Sequence, residues 1–390
     1  MNDSPFGEGL RRHRLARGLS IRGLANLAHR GKSHIQELES GRKKATVDTA
    51  RHLDALLGAH GHLVALASTS APEAIRGEDE ALELASLLDA SDITSELVDR
   101  FEVAVDDLAS SYATTPPANL LPGVRDHLAR IGVALRKRSS LHQQRRLLVA
   151  AGWLALLRAT LHIDLRHGRA AAAYLLTAER LGEHVNHPEI RAWALETRAW
   201  DVLTVGDYRR ALDLAEQAQA VAPRGSSAHI QATAQTGRAW ARMGDQRETR
   251  RALDQVARLV GPLRTPDRPE HHYQYDPAKA LSYTATTLAW SGDPAAEEYA
   301  RRIVADLDRA ARPRRAASAR LDLGLALLAA ERPDEASVVA TEAITSGRVV
   351  PSNWWRATEV LTAVESYGIR EARDLRDAYE SHRPHRSTDT

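Results

Sequence analysis

The densest group of chemically capable side chains lies between residues 262 and 277. There His271, His272, Tyr273, Tyr275 and Asp276 share a stretch that also holds four prolines. Two imidazoles, two phenols and a carboxylate can bind a metal, form a lid or specificity loop over a cleft, or stand in an ordered linker. Adjacent histidines diverge in direction and no third ligand is spaced to join them, so no metal is expected. A second concentration is of charge. Lysine occurs only five times, yet Lys32, Lys43 and Lys44 fall close together. The chain as a whole is only +2, but residues 1–70 carry a net +5 and residues 71–390 a net −3. A small basic unit on a slightly acidic body is what nucleic-acid binding requires. On charge alone, a basic solvated face fits equally well. Catalysis has no comparable group: there is no Gly-rich phosphate loop, no His-Glu-x-x-His and no Ser–His–Asp spacing in a strand–turn–helix context. His184 and His187 flank Asn186 and precede Pro188, which makes a turn rather than a ligand pair. With no cysteine, thiol nucleophiles, disulfides, iron–sulfur clusters and thiolate zinc sites are excluded. Neither an enzyme nor a cofactor is expected.

The elements that would position these residues are helices. Aromatics make up only 5% of the chain, too few for a large β-sandwich core. Helix-period apolar spacing begins with Leu10 and Leu15, continues through Leu24, Leu27 and Ala28, then Ile35 and Leu38, and ends with Leu53, Leu56 and Leu57. Gly18 stops the first helix, and the Ser20 hydroxyl caps the second. Gly31 breaks the chain after Ala28-His29-Arg30, and Gly41 ends the third helix. Thr46 or Asp48 caps a fourth that runs to about Leu57. Short helices joined by turns of three or four residues have helix-turn-helix geometry.

The run Leu10-Arg11-Arg12-His13-Arg14, Gly18-Leu19-Ser20, Leu24-Ala25 and Ile35-Gln36-Glu37-Leu38-Glu39-Ser40-Gly41-Arg42 resembles the Cro/phage-repressor (Xre-family) helix-turn-helix over residues 6 to about 67. That resemblance implies a five-helix domain whose third helix enters the major groove. Carried across, the base readers are Lys32, Ser33, Gln36 and Glu37. Lysine suits guanine O6/N7, and glutamate accepts from cytosine N4. Arg22, Ser40, Arg42, Lys43 and Lys44 hold phosphate. The resemblance also pairs Arg14 with Glu39 inside the domain. One position departs from the family: Ile21 stands where a backbone-contacting glutamine is common, so phosphate anchoring shifts to Arg22 or to the 42–44 cluster.

Ser68-Thr69-Ser70-Ala71-Pro72 reads as a linker. Helices are expected at Glu78–Ala90, at Ile93–Tyr112 after a Ser91-Asp92 cap, and from about Pro122. Together, residues 71–142 form a helical bridge and dimer surface. Beyond it, a turn signal recurs at Arg166-His167-Gly168-Arg169, Gly206-Asp207-Tyr208, Gly244-Asp245-Gln246 and Gly292-Asp293-Pro294, with a glycine-less copy at Glu331. The intervals are 38, 38, 48 and 39 residues. The 48-residue interval contains the 262–277 insert, and inserts in solenoids map to one face, often the binding face. Helical hairpins at such a period stack as a solenoid. These units resemble tetratricopeptide repeats, most clearly at Gly206-Asp207-Tyr208 with Ala211, Ala218 and Pro223. Five repeats run from about 143 to 347, before a cap with Trp354, Trp355 and Tyr367. The family's frame directs Arg158, His162, Trp193, Glu196, Trp200, Gln231, Arg238, Lys279, Ser282 and Thr286 into a groove. Aromatics and cations among neutral polar groups suit an extended peptide or an organic anion whose carboxylate lies near Arg158, Arg238 or Lys279.

The expected architecture is all-α: a helix-turn-helix domain (1–70), the bridge (71–142) and a tetratricopeptide-like sensor and dimerisation array (143–390). It resembles bacterial peptide-responsive transcriptional regulators. The implied partners are double-stranded DNA, a peptide or small-molecule effector, and a second copy of the chain, since one short reader sees few bases. The rival reading is an interaction scaffold with a residual helix-turn-helix. No apolar run approaches the ~20 residues that span a bilayer and the N-terminus has no signal-peptide form, so a cytoplasmic protein with no membrane partner is expected.

Overall fold

Alanine- and leucine-rich periodic segments separated by glycine and proline favour short helices, and the regular structure among the described residues is entirely helical. In this computed structural model the described residues are 4–68, 92–264, 266–268, 270–275, 277–310 and 312–383. The segment expected as helix Glu78–Ala90 lies outside them, as does Asp276. The chain divides into two compact units, 1–90 and 91–390.

The first unit contains α1 (Pro5–Ala16), α2 (Ile21–Leu27), α3 (Lys32–Glu39), α4 (Val47–Leu57) and α5 (His62–Ser68). Phe6, Leu10, Leu24, Ile35, Leu38, Leu53, Leu57 and Leu63 form its core. Leu15 and Leu27, expected inside, are instead exposed. On α1 the inward face runs Phe6, Leu10, Arg14, so the third inward position belongs to an arginine and Leu15 turns outward. Arg14 is tied to Glu39 through Nε and, at 2.8 Å, through Nη2, while its Nη1 donates to the Leu19 carbonyl at 2.8 Å. This buried bidentate pair locks α3 onto α1. Gly7 lets the same helices approach closely, because a Cβ there would lie 2.5 Å from the Glu39 carbonyl oxygen. Ser20 accepts from the Gly23 N–H at 3.0 Å, capping α2 as expected, and Thr46 rather than Asp48 caps α4. In the turn before α3 the left-handed residue is His29 (φ 51°), whereas Gly31 is an extended N-cap.

In the second unit, α6 (Ser95–Ser111) and α7 (Pro117–Ala134) precede five helical hairpins. Thr94, not Ser91-Asp92, caps α6, and α7 begins at Pro117 with Pro122 inside it. Val98, Phe101, Leu120, Val124 and Ile131 from this pair share one core with Leu147, Leu154 and Leu157 of the first hairpin. The hairpins are α8 (Leu141–Asp164) with α9 (Gly168–His184), α10 (Pro188–Thr204) with α11 (Tyr208–Val221), α12 (Ser227–Met243) with α13 (Gln246–Val260), α14 (Pro277–Trp290) with α15 (Ala296–Arg309), and α16 (Pro313–Ala329) with α17 (Pro333–Thr345). A 3-10 turn (Pro351–Asn353), α18 (Trp354–Ser366) and α19 (Glu371–His382) follow.

The recurring Gly-Asp has a local cause. Gly206 and Gly244 take left-handed φ values of 92° and 78°, and the following Asp207 and Asp245 accept N-cap hydrogen bonds from Arg210 and Glu248 N–H. In the first hairpin Arg166 (φ 62°), not Gly168, holds the left-handed position, and in the fifth Glu331 does (φ 56°). Measured from turn to turn, the first interval is therefore two residues longer than glycine spacing suggests. Helix α8 is long and apolar enough to cross a membrane by length and composition, although polar residues interrupt its apolar run. However, 78% of that window is buried inside the unit.

First and last hairpins meet. Buried Asp164 accepts from the Tyr112 hydroxyl (2.8 Å), the Ser352 hydroxyl (2.9 Å) and Arg314, and Arg166 donates to the Ser352 carbonyl at 3.0 Å. Two variants test these ties. Arg14→Ala leaves Glu39 buried without its cation and should cost the first unit about 3–5 kcal/mol. The urea midpoint for unfolding of the first unit should fall accordingly, with helicity followed by circular dichroism. Asp164→Ala should cost the second unit a comparable amount, and Asp164→Asn, which keeps two acceptor roles, distinctly less.

Candidate functional site

The first unit presents α3 outward. Ile35 and Leu38 face the core, so Lys32, Ser33 and Gln36 are exposed together on the opposite side and Glu37 is half-buried beside them. Arg22 is exposed on α2, and Arg42, Lys43 and Lys44 are exposed just beyond α3. Ser40 is engaged within the unit: its hydroxyl donates to the Glu37 carbonyl and accepts from Arg42 Nε, both at 3.2 Å. Asp54 pins the far end of this unit by accepting from the N–H groups of Gly61, Leu63 and Val64. Burial opposes that carboxylate's charge, but the three donors hold its pKa below the usual value. Ile21 is half-buried against the core, so the position where the family commonly has glutamine serves packing here.

The second unit holds a half-open cavity of about 250 Å³. Of the ten residues expected to line a groove, Trp193, Glu196, Trp200, Gln231, Arg238, Lys279 and Ser282 border it. Thr286 stands just behind, donating to Asp322 at 2.7 Å. Arg158 and His162 are not brought to it. Arg158 lies over the Tyr174 ring at 4.4 Å and His162 stacks on the same ring, both inside the first hairpin. Burial, with Arg158 and His167 nearby, lowers the His162 pKa to about 4. The cause of this misplacement is the turn register. Counting from Arg166 instead of Gly168 moves the inward positions two residues back, and Thr160, which borders the cavity, then replaces His162.

Asn353, a further groove candidate in the cap, borders the cavity too, and the residues missing from the expected set include Tyr112, Asp164, Arg314, Arg315, Ser318, Asp322 and Arg356, which also border it. Ser318 and Asp322 lie in α16 at the positions that Lys279 and Tyr283 hold in α14. Extending the same frame into the fifth repeat would have found Ser318 but not Asp322, which lies one residue beyond the frame position that Leu321 fills in the core. Tyr112 and Arg356 had no such signal, because they come from the segments before and after the array.

The described residues of the 262–277 insert fold against the array and α6. The His272 N–H donates to the Ala109 carbonyl (3.1 Å), Arg268 pairs with Asp107 (2.7 Å), and the Tyr275 N–H donates to Ser227 (3.0 Å). Tyr273 is buried between the Trp153 and Trp193 rings, with centroids 5.0 and 5.3 Å away. His272 borders the cavity; burial and then Lys279 and Arg314 depress its pKa well below the ordinary value, so it is neutral. Lys279 Nζ donates to the carbonyls of His271 (2.8 Å) and Gln274 (2.7 Å), holding the insert in place. His271 faces Asp106 at 3.3 Å, away from the cavity lining. Among the described residues no three His, Asp or Glu side chains are grouped to hold a metal.

Charges in the cavity are largely matched. Arg314 pairs with Asp164, Arg356 with both oxygens of Asp322 at 3.2 Å, and Arg312 with Glu270 at 2.7 Å. Glu196 accepts from Gln231 Nε2 at 2.9 Å. Burial raises its pKa to about 7, against the opposing pull of Gln231 and Arg238. Because the folded chain holds this proton more tightly than the unfolded chain, the linked stability is fully present below pH about 4.5 and is lost as the pH rises to about 7. The loss is on the order of 3 kcal/mol. Urea titrations across that window should show the decline, and Glu196→Gln should flatten it.

Residues 5–67 match the protein family described as a helix-turn-helix domain. The remainder of the chain lies outside that match. A comparison of the whole chain with curated proteins finds no match. The first unit is thus a helix-turn-helix domain of a kind that binds DNA, joined to an all-helical repeat-like region.

Proposed function

We propose that this protein is a sequence-specific transcriptional regulator of the Cro/phage-repressor (Xre) type. Its tetratricopeptide-like array binds a small effector and thereby controls DNA binding. The observation that carries the DNA half is the outward face of α3, with Lys32, Ser33 and Gln36 exposed together and Glu37 beside them, within a helix-turn-helix domain. Arg22, Arg42, Lys43 and Lys44 flank that face and supply phosphate contacts, as phosphate-positioning residues do in such complexes. The effector half is supported by the cavity in the second unit. The insert supplies His272 and Glu270 to its lining, which favours a compact organic molecule over an extended peptide. A homodimer follows from the reading chemistry: one short helix distinguishes few base pairs, and paired half-sites about 34–36 Å apart require two readers. Effector binding shifts DNA affinity only by its differential affinity for two conformations of the array.

Selection of binding sites from random DNA with the full chain, followed by fluorescence anisotropy, tests this reading. Lys32→Ala and Gln36→Ala should each lose about 1–3 kcal/mol of discrimination between selected and altered sites. Lys43→Ala with Lys44→Ala should weaken all sequences alike and reduce the salt slope by about one for each phosphate charge no longer neutralised. Recovery of unselected sequence, equal for all variants, sinks the regulator and favours an interaction scaffold with a residual helix-turn-helix.

A further inference from the structure

The lining of the cavity has an imbalance that identifies its occupant. Three carboxylates that border it, Asp164, Asp322 and Glu270, already face arginines. The fourth, Glu196, is hydrogen-bonded to neutral Gln231, and its own burial favours the protonated form. Among the described residues, Arg238 is the one lining arginine without a carboxylate partner, while Lys279 is engaged by two carbonyls of the insert. Only 5% of Arg238 is exposed, its Nη1 donates to the Gln235 amide oxygen at 2.9 Å, and among the described residues no carboxylate is within ion-pair distance of it. Its Nε has no acceptor, and neither does the indole Nε1 of Trp193, a side chain only 3% exposed that borders the same space. Both atoms are donors. A buried donor without a partner costs about as much as a lost hydrogen bond, so such donors persist where a ligand supplies the acceptor.

Apolar walls stand beside these donors. The guanidinium of Arg238 lies 4.0 Å from the Tyr283 ring centroid and 5.6 Å from that of Trp200. Those ring faces already serve a cation, which disfavours a second one. The volume, about 250 Å³, falls below the roughly 300–1,000 Å³ of drug-sized pockets and suits a compact body.

We propose that the cavity binds a small organic monoanion, a carboxylate on a compact apolar body. Arg238 takes the charge, the Trp193 N–H donates a second hydrogen bond, and Trp200 and Tyr283 contact the body. This names the effector class for the sensing role put forward above and rests on that reading only for its consequence at DNA. The repeat frame left an extended peptide and an organic anion, and three candidate cations, open; the pairing of the lining charges selects the anion and Arg238.

The test uses the full chain and follows tryptophan fluorescence and thermal shift with defined probes: phenylacetate and hexanoate, their amides, and phenethylamine. The expected result is saturable binding of an acid at least about tenfold tighter than its amide, with the amine weakest. Arg238→Gln should then weaken acid binding by about 30-fold or more, Arg238→Lys by less, and Trp193→Phe by several-fold. Equal binding of acid and amide, preference for the amine, or no response to either acid overturns the proposal. If Arg238→Gln fails to fold, the acid–amide comparison on the unaltered chain still decides the matter. DNA affinity is measured in parallel with the acid present. Arg238-dependent acid binding that leaves DNA affinity unchanged upholds this site and refutes the sensing role.

Discussion

The carboxylate of Asp164 joins four stretches of chain that lie far apart in sequence. It ends the first helix of the array and accepts from Tyr112 before the array, Arg314 in the fifth hairpin, and Ser352 beyond it. A solenoid stabilised only by neighbouring repeats has no such contact between its ends. Here the end-to-end contact curls the hairpins around an interior, and the cavity exists because of that curl. The arrangement is costly, since Asp164 and Arg314 both surrender most of their hydration. It persists because the remaining lone pairs of Asp164 are filled by the two hydroxyls. Burial raises the Tyr112 pKa far above its usual value, so that phenol remains a donor throughout the physiological range.

Around this node the inserted loop completes the enclosure. Tyr273 packs between two tryptophans, and Lys279 bonds two of the loop's carbonyls. Aromatic and cationic side chains in the loop therefore act mostly as structure, with His272 alone among its histidines at the cavity wall. Helix α6 is bound to the same loop through Ala109 and Asp107. It is also the first described element after the helix-turn-helix domain.

In the first unit an equivalent economy operates. Arg14 fills an inward α1 position where leucine would be ordinary, and in exchange it fixes Glu39 at the end of α3. A bidentate guanidinium–carboxylate pair has a fixed geometry that an apolar contact lacks. Together with the close approach permitted by Gly7, it sets the orientation in which Lys32, Ser33 and Gln36 are presented.

By itself, the sequence determined what depends on neighbours along the chain. The helical period, the serine and threonine caps, the glycine–aspartate turns and the outward set on α3 are local consequences of backbone and side-chain geometry. Most of these were legible, as was the five-hairpin array, although Thr94 rather than Ser91-Asp92 caps α6 and α7 begins at Pro117, ahead of the expected Pro122. Legibility failed by two residues where Arg166 took over a left-handed position that glycine usually marks, and Arg158 and His162 were misassigned with it. What only the tertiary structure decided is which distant residues meet. Tyr112, Arg314 and Arg356 reach the cavity because Asp164 and Asp322 need buried partners, and that need leaves no periodic trace in sequence. The charge left over at Arg238 is likewise visible only after every other pairing has been made in space.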